Sequence, residues 1–479
     1  MTDIVYTANH GFAARMLMQT DLLGKLAAKG LKVGLIAPDA TDPNLRNYCQ
    51  AKGVSLYEFN PPTTKWQSEY YRARKYLLDD IKANPCLWER HLKATKFGSR
   101  SILKQIRPRL YYLAYCLRKV FPGIKTWFAL KEKQLLQNDE AINLFQQIKP
   151  ALFVSTYPVN YAEGMLMHAA QKFGCSTYIH LLSWDNISGK GTFVGKADKY
   201  LLWGKVMAEE LVEYYSIDSS NMALPGVPHF DRHVAIRDQG KPDKCLSKLG
   251  LHPLKPYLFF GMSASHFAPR EIDIVEWLAD QIENDKFGEN MQLVIRPHPQ
   301  NISGSMSDSN WKVRLDRLHK KDRIGVFFPE LVNSKMSWSM RHDDMEKLVH
   351  LIASATLVYN SGSTISIDAL MCERPVVITS FDAHDQLDYW HSARRLLDYK
   401  HLKKITTQTG IDVARSFEEL ENLTKAYLVN SNRNIELRKG TIREYCANFE
   451  DGLATSRVVD FLAEAVHMQP NLTIENKAE

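Results

Sequence analysis

Residues 360–377 read NSGSTISIDALMCERPVV. An apolar run, Ala355 to Tyr359, passes into small hydroxyl and glycine residues and then into an apolar helical stretch. That order of residue types suits anion binding. A helix N-terminus presents unpaired N–H groups and a positive dipole end, and small residues let a phosphate approach them. Ser361, Gly362, Ser363 and Thr364 form the turn, and Ser363 and Thr364 add hydroxyl donors. Asp368 lies one turn further on, where a carboxylate can accept two hydrogen bonds from ribose hydroxyls. Two more apolar runs end in polar residues. FFGMSASH places Gly261 and Ser263 after Phe260, and VIRPHPQN places Arg296 and His298 after Ile295, each able to bring charge to a phosphate. Singly, these residues have ordinary readings: Ser363 as a helix cap, His298 as a turn histidine between prolines. Together they point to a nucleotide phosphate site, because open parallel sheets bind ligands beyond the carboxyl ends of their strands. No GxxxxGK[ST] is present, which argues against a P-loop.

The elements that must hold these residues alternate between strand and helix. Ile4–Thr7, a helix over 12–29 and a strand over 32–37 make a β-α-β opening. Strands are expected again at 151–155, 177–181 and 200–203, with a helix over 161–173. A polar Gly- and Pro-containing stretch after Leu224 reads as a connection between domains. A second series follows, with strands at 257–260, 292–295, 355–359 and 376–379 and a last helix over 454–468. The pattern predicts an α/β protein of two Rossmann-like domains whose sheets are mostly parallel, with a ligand in the cleft between them. The expected boundaries are 1–230, with a basic aromatic helical insertion at about 61–148, then 231–467, and a mobile tail at 468–479.

Composition narrows the class. The chain has 479 residues, 45% hydrophobic and 24% charged, enough for two or three domains with substantial cores. Its seven cysteines are scattered and never form CxxC, which argues against a disulfide framework or a structural zinc and fits a reducing cytosol. The N-terminus lacks a secretory pattern, and no apolar run is long enough to span a bilayer. A cytoplasmic protein is expected, able to lie against the inner face of the cell membrane. The net charge is +7, yet residues 65–133 alone hold 17 Lys/Arg against 5 Asp/Glu, so the rest is slightly acidic. That stretch is rich in Trp, Tyr and Phe. It reads either as a solvated helical face with aromatics turned into the core, or as a surface for anionic lipid with aromatics at the headgroups. No nucleic-acid signature accompanies it.

The segment SGSTISIDALMCERPVV, followed by SFDAHDQLDYWHSA, resembles the donor-binding segment of GT-B nucleotide-sugar glycosyltransferases, particularly the lipid II GlcNAc transferase. The resemblance implies that Ser363 and Thr364 hold the donor phosphates, Asp368 (where the family carries Glu) the ribose, and Asp385 with Gln386 the sugar. The RPHP element and the S-T-x-x-x-D spacing are similar instead to teichoic-acid polyol-phosphate transferases and to Kdo- and sialyltransferases, implying phosphate contacts from His298, Ser363 and Thr364. SWDNISGKGTF and LPGVPHFD look like segments of surface-polysaccharide enzymes of the same fold.

By the same resemblance, the base that deprotonates the acceptor comes from the first domain. His10, in the loop after the first strand, is the first candidate, and Asp185 at another strand end is its rival. Asn186 and Lys190 are the expected acceptor contacts. No E-x7-E pair stands at the strand-four end and no convincing DxD is found, so an inverting reaction without metal or other cofactor is expected, with the leaving phosphate neutralised by helix dipole and side chains. The expected function is transfer of a sugar from a nucleotide-sugar to a glycan or lipid-linked acceptor in surface polysaccharide synthesis, such as capsule or O-antigen. A CDP-polyol phosphotransferase, an NDP-sugar 2-epimerase and a sugar-nucleotide-binding protein without turnover remain the alternatives.

Overall fold

The apolar runs form strands buried on both faces. Every residue of Val33–Ala37 and of Tyr257–Gly261 is buried, as parallel strands covered by helices on each side must be. A computed structural model describes residues 2–97, 102–237, 239, 243–302, 309–332, 340–341, 343–407 and 410–468. The chain forms two compact units. The first comprises Met1–Pro228 with the last helix, Ala454–His467; the second spans His229–Val332 and Met340–Leu453.

The first unit is built on β1 (Ile4–Thr7), β2 (Val33–Ala37), β3 (Ser55–Glu58), β4 (Leu152–Ser155), β5 (Ser176–His180), β6 (Lys199–Leu201) and β7 (Met222–Ala223). They lie in the order β3-β2-β1-β4-β5-β6-β7, all pairs parallel. The second unit holds β8 (Tyr257–Gly261), β9 (Gln292–Arg296), β10 (Ile324–Val326), β11 (Leu357–Asn360), β12 (Val376–Thr379) and β13 (Asp412–Ala414). Its order is β10-β9-β8-β11-β12-β13, again all parallel. In each sheet the strand order reverses once, between β1 and β4 and between β8 and β11. A crevice opens outside the carboxyl ends at such a point.

Three sequence expectations change. The helix expected over 12–29 is two helices, Gly11–Gln19 and Leu22–Ala28, because Asp21 takes a left-handed conformation (φ 51°). The insertion is shorter than 61–148: helix Asp139–Ile148 packs on helix Tyr161–Lys172, and Phe145 meets Phe153 of β4, so it belongs to the layer over the sheet. The last helix, expected in the second domain, lies on the first unit. Val458, Val459 and Leu462 share a core with Leu22, Leu26 and Leu152, and Arg457 Nε donates to the Pro225 carbonyl at 2.8 Å. The tail from 469, expected to be mobile, lies outside the described residues.

The insertion proper comprises helices Lys65–Leu78, Pro85–Leu92, Ile102–Val120 and Gly123–Leu135. Pro85 opens a helix, as its missing N–H allows, whereas Pro108 lies inside one. Most aromatics expected at a lipid surface face inward instead. Tyr70 stacks on Phe128 with centroids 4.1 Å apart, and Tyr112 packs with Trp88, His91 and Tyr115. Arg74 and Glu132 form a buried ion pair, and Arg74 also donates to the carbonyls of Thr192 and Phe193. No helix among the described residues is long and apolar enough to cross a membrane. All seven cysteines are free.

Candidate functional site

In the second unit, β11 ends at Asn360 and helix Ile365–Met371 begins five residues later. The turn between them needs glycine at 362, where φ is +99°. Asn360 organises it. Its Oδ1 accepts the N–H groups of Gly362 and Ser363 at 2.8 and 2.9 Å, and Ser363 Oγ accepts that of Ile365 at 3.2 Å. Three amides expected to meet a phosphate are therefore already bonded to side chains of the turn itself. The hydroxyl of Thr364 caps nothing. Ser361 is buried and shares a hydrogen bond with Thr379 at 2.8 Å, so it braces β11 against β12.

The other strand ends divide similarly. Gly261 is a packing glycine: a Cβ there would lie 2.2 Å from Ile365 Cδ1. Ser263 is held by its main chain, its N–H bonded to Glu271 Oε2 at 2.7 Å and its carbonyl to Asn301 Nδ2 at 2.7 Å. Arg296, expected to bring charge to a phosphate, is buried. Its Nη2 donates to both carboxylate oxygens of Asp344, at 2.7 and 2.9 Å, and its guanidinium lies over the Phe327 ring at 4.4 Å. His298 Nδ1 accepts the Gln300 N–H at 3.2 Å, which puts the proton of the neutral ring on Nε2 as a donor. Burial, with His266 and Arg296 nearby, lowers its pKa to about 4. Asp368 is mostly buried and bonded to His233 Nε2 at 2.8 Å. Asp385 and Gln386 are exposed beyond β12, and Asp385 pairs with Arg270 at 2.5 Å.

In the first unit, the structure gathers the four candidates at the ends of β1 and β5. His10 caps helix Gly11–Gln19, its Nδ1 accepting the Ala13 N–H at 3.1 Å. The neutral ring then carries its proton on Nε2, so its lone pair is engaged and it stands as a donor. Burial, aided by the charges of Lys190 and Arg15, lowers its pKa to about 4; Asp185 acts the other way. Lys190 Nζ is 2.9 Å from Asn186 Oδ1, 3.4 Å from Asp185 Oδ2 and 5.1 Å from the Tyr157 ring, which meets His10 edge-on. Ser183 Oγ donates to Asp185 Oδ1 at 2.5 Å. The insertion anchors this loop: Asp79 accepts the Thr192 N–H at 2.7 Å and Asn84 Nδ2 donates to the Ser188 carbonyl at 2.8 Å.

One arrangement occurs in both sheets. A buried glutamate on the helix following β4 or β8 reaches back eight residues to the strand end. Glu163 accepts from the Ser155 hydroxyl and from the Tyr157 N–H at 2.8 Å, and Glu271 accepts from the Ser263 N–H. Burial raises both pKa values, that of Glu271 to about 8, against the pull of the donors that each glutamate accepts from. Each glutamate thus braces the loop after the strand that precedes its helix, beside a strand-order reversal. The sequence carried no sign of this, because a lone acid in a first helical turn is the commonest of patterns. Asn360 was legible: an Asn before Ser-Gly is a turn former whose side chain bonds backbone N–H groups ahead of it.

Solved structures share this architecture. UDP-GlcNAc 2-epimerase from Neisseria meningitidis, bound to UDP-GlcNAc, matches with a TM-score of 0.54 at 10% identity, over 96% of this chain and 100% of that one. S. aureus MnaA, solved with UDP, matches at 0.53 and 12%, over 98% and 97%. A glycosyltransferase from Rickettsia africae matches at 0.50 and 10%, over 98% and 99%. The fold is GT-B. At these identities the likeness reaches no further than the fold. No protein-family model matches the sequence, and no curated protein matches it.

Proposed function

We propose that this GT-B protein is a glycosyltransferase that takes a sugar from a nucleotide-sugar and adds it to a glycan or lipid-linked acceptor in surface polysaccharide synthesis. The observation that carries the reading is the turn at the β8/β11 reversal, where Gly362, Ser363 and Thr364 leave a left-handed, hydroxyl-bearing corner. A donor phosphate there is held by the Ser363 and Thr364 hydroxyls and by His298 Nε2–H, with the spare oxygen of Asp368 for ribose and Asp385 and Gln386 for the sugar. Because three amides of the turn are already bonded, this grip is mainly one of side chains. Gly261, Ser263, Ser361 and Arg296 act as the frame.

The acceptor binds in the first unit, where Lys190 and Asn186 meet its polar or anionic group. Asp185 is the base. Its carboxylate is partly exposed, whereas the His10 lone pair is engaged by the Ala13 N–H. In the reaction, the acceptor hydroxyl gives its proton to Asp185 and attacks the anomeric carbon. The bond to the nucleotide phosphate breaks from the opposite face, with inversion and without metal. His10 donates through Nε2 and orients the acceptor.

The test is a thermal-shift series with UDP, CDP, CMP, GDP and TDP on the wild type and on Thr364→Val and His298→Ala. One nucleotide should raise the melting temperature by mass action, and both variants should lose most of the shift. No shift with any nucleotide removes the reading. A second reading is an NDP-sugar 2-epimerase, favoured by the Neisseria structure, which holds UDP-GlcNAc on the same fold. Product formed from a nucleotide-sugar with no acceptor present decides for it.

A further inference from the structure

The insertion helix Ile102–Val120 buries one face, through Tyr112 and Tyr115, and leaves the opposite one bare. Ile106, Leu110, Leu113, Leu117 and Val120 recur at spacings of four and three residues, which places them on one side of a helix. They are 43%, 57%, 55%, 44% and 70% exposed. Phe121 at the turn, and Trp127 and Leu130 of helix Gly123–Leu135, are also more than half exposed. A row of bare apolar side chains on one helix face marks an interaction surface.

Charge decides what covers it. From Arg90 to Lys131 the sequence has no acidic residue; Arg107 and Arg109 lie beside the stripe on its own helix, and Lys125 and Lys131 are exposed on the next. Arg107 meets Glu69 at 2.7 Å, and with no acid in this stretch the surface around the stripe stays net positive. The four-three spacing would also suit a coiled-coil seam with a second copy, but that pairing sets positive flanks against positive flanks. An anionic bilayer satisfies both features at once, taking the aliphatic side chains below its headgroups and the basic ones among them.

We propose that this protein lies on an anionic lipid bilayer through the face formed by helices 102–120 and 123–135. The contact is by Leu110, Leu113, Leu117, Val120, Phe121 and Trp127, rather than by the insertion's tyrosines, which are buried or half-buried. This deepens the acceptor reading and rests on it only for its purpose. Binding to lipid is measured without turnover, so either can fail alone.

The experiment is co-sedimentation of the full chain with vesicles of equal parts phosphatidylcholine and phosphatidylglycerol, against pure phosphatidylcholine. Binding is expected to the mixed vesicles only, and to weaken as salt rises. L113E/L117E should weaken it by roughly tenfold or more, with melting temperature unchanged because both sites are exposed. K125E/K131E should weaken it on mixed vesicles alone. The proposal is overturned if the wild type ignores mixed vesicles or L113E/L117E binds as well as wild type. A wild-type dimer that L113E/L117E converts to monomer also overturns it.

Discussion

His233 Nε2 lies 2.8 Å from Asp368 Oδ1, with the imidazole fully buried. The pair joins helix Asp231–Arg237 to helix Ile365–Met371 inside the second unit. It fixes one carboxylate oxygen; the other is the one proposed to meet ribose. His233→Ala should cost about 1–3 kcal/mol, because it strands a largely buried carboxylate without its donor. Urea unfolding measures that loss, and the nucleotide-induced thermal shift should fall with it. An unchanged shift would show that Asp368 does not face the nucleotide.

His10 and Asp185 separate by substitution. His10→Asn keeps an oxygen able to cap Ala13, so stability should hold to about 0.5 kcal/mol. Asp185→Asn should lower turnover by roughly 10²–10⁴, the usual contribution of a general base, and by more than His10→Asn does. The reverse order in a transfer assay would return the base role to His10.

Acid should destabilise the protein well before its carboxylates are all protonated. Burial lowers the pKa of His180 and His10 from 6.5 to about 4. Between those values the unfolded chain binds protons that the folded one does not. Stability present above pH 6.5 is therefore lost as pH falls towards 4, on the order of 3 kcal/mol for the fully buried His180. Unfolding curves across that range check the slope, and His180→Phe should flatten it.

Glu271 works in the opposite sense. Its carboxyl is raised from 4.5 to about 8 by burial, so the folded state holds a proton that the unfolded state releases. That contribution is complete below pH 4.5 and declines as pH rises through 8. Glu271→Gln retains an acceptor for the Ser263 N–H and removes the titration. Its melting temperature should fall less than that of wild type between pH 6 and pH 9; parallel curves would refute the assignment.

Removing one member of the buried Arg74–Glu132 pair should be costly. Glu132→Ala leaves a buried guanidinium without its counter-charge, a loss of about 3–5 kcal/mol. Because Arg74 also holds the Thr192 and Phe193 carbonyls, the loosened loop should show faster amide exchange around Asp185 to Lys190. Exchange at wild-type rates would show that the insertion does not hold that loop.

The central strands are legible in the sequence, because a strand buried on both faces is an uninterrupted apolar run. Expected runs at 4–7, 292–295 and 376–379 coincide with β1, β9 and β12 to within a residue. Edge strands were missed for the same reason. Ser55–Glu58 and Asp412–Ala414 are short and polar on one side, with no apolar excess to betray them. At the strand ends, residue types could not say which side chains are spent on structure. Arg296 and Ser361 look like ligand contacts until Asp344 and Thr379, distant in the sequence, are seen to occupy them.

The seating of the last helix on the first unit bears on how the chain matures. Val458 and Leu462 fill a core whose other members lie hundreds of residues earlier. During synthesis the N-terminal module must therefore wait, its hydrophobic side uncovered, until the ribosome has delivered the whole of the following one. A chain released early would lack that seal and be a natural substrate for chaperones.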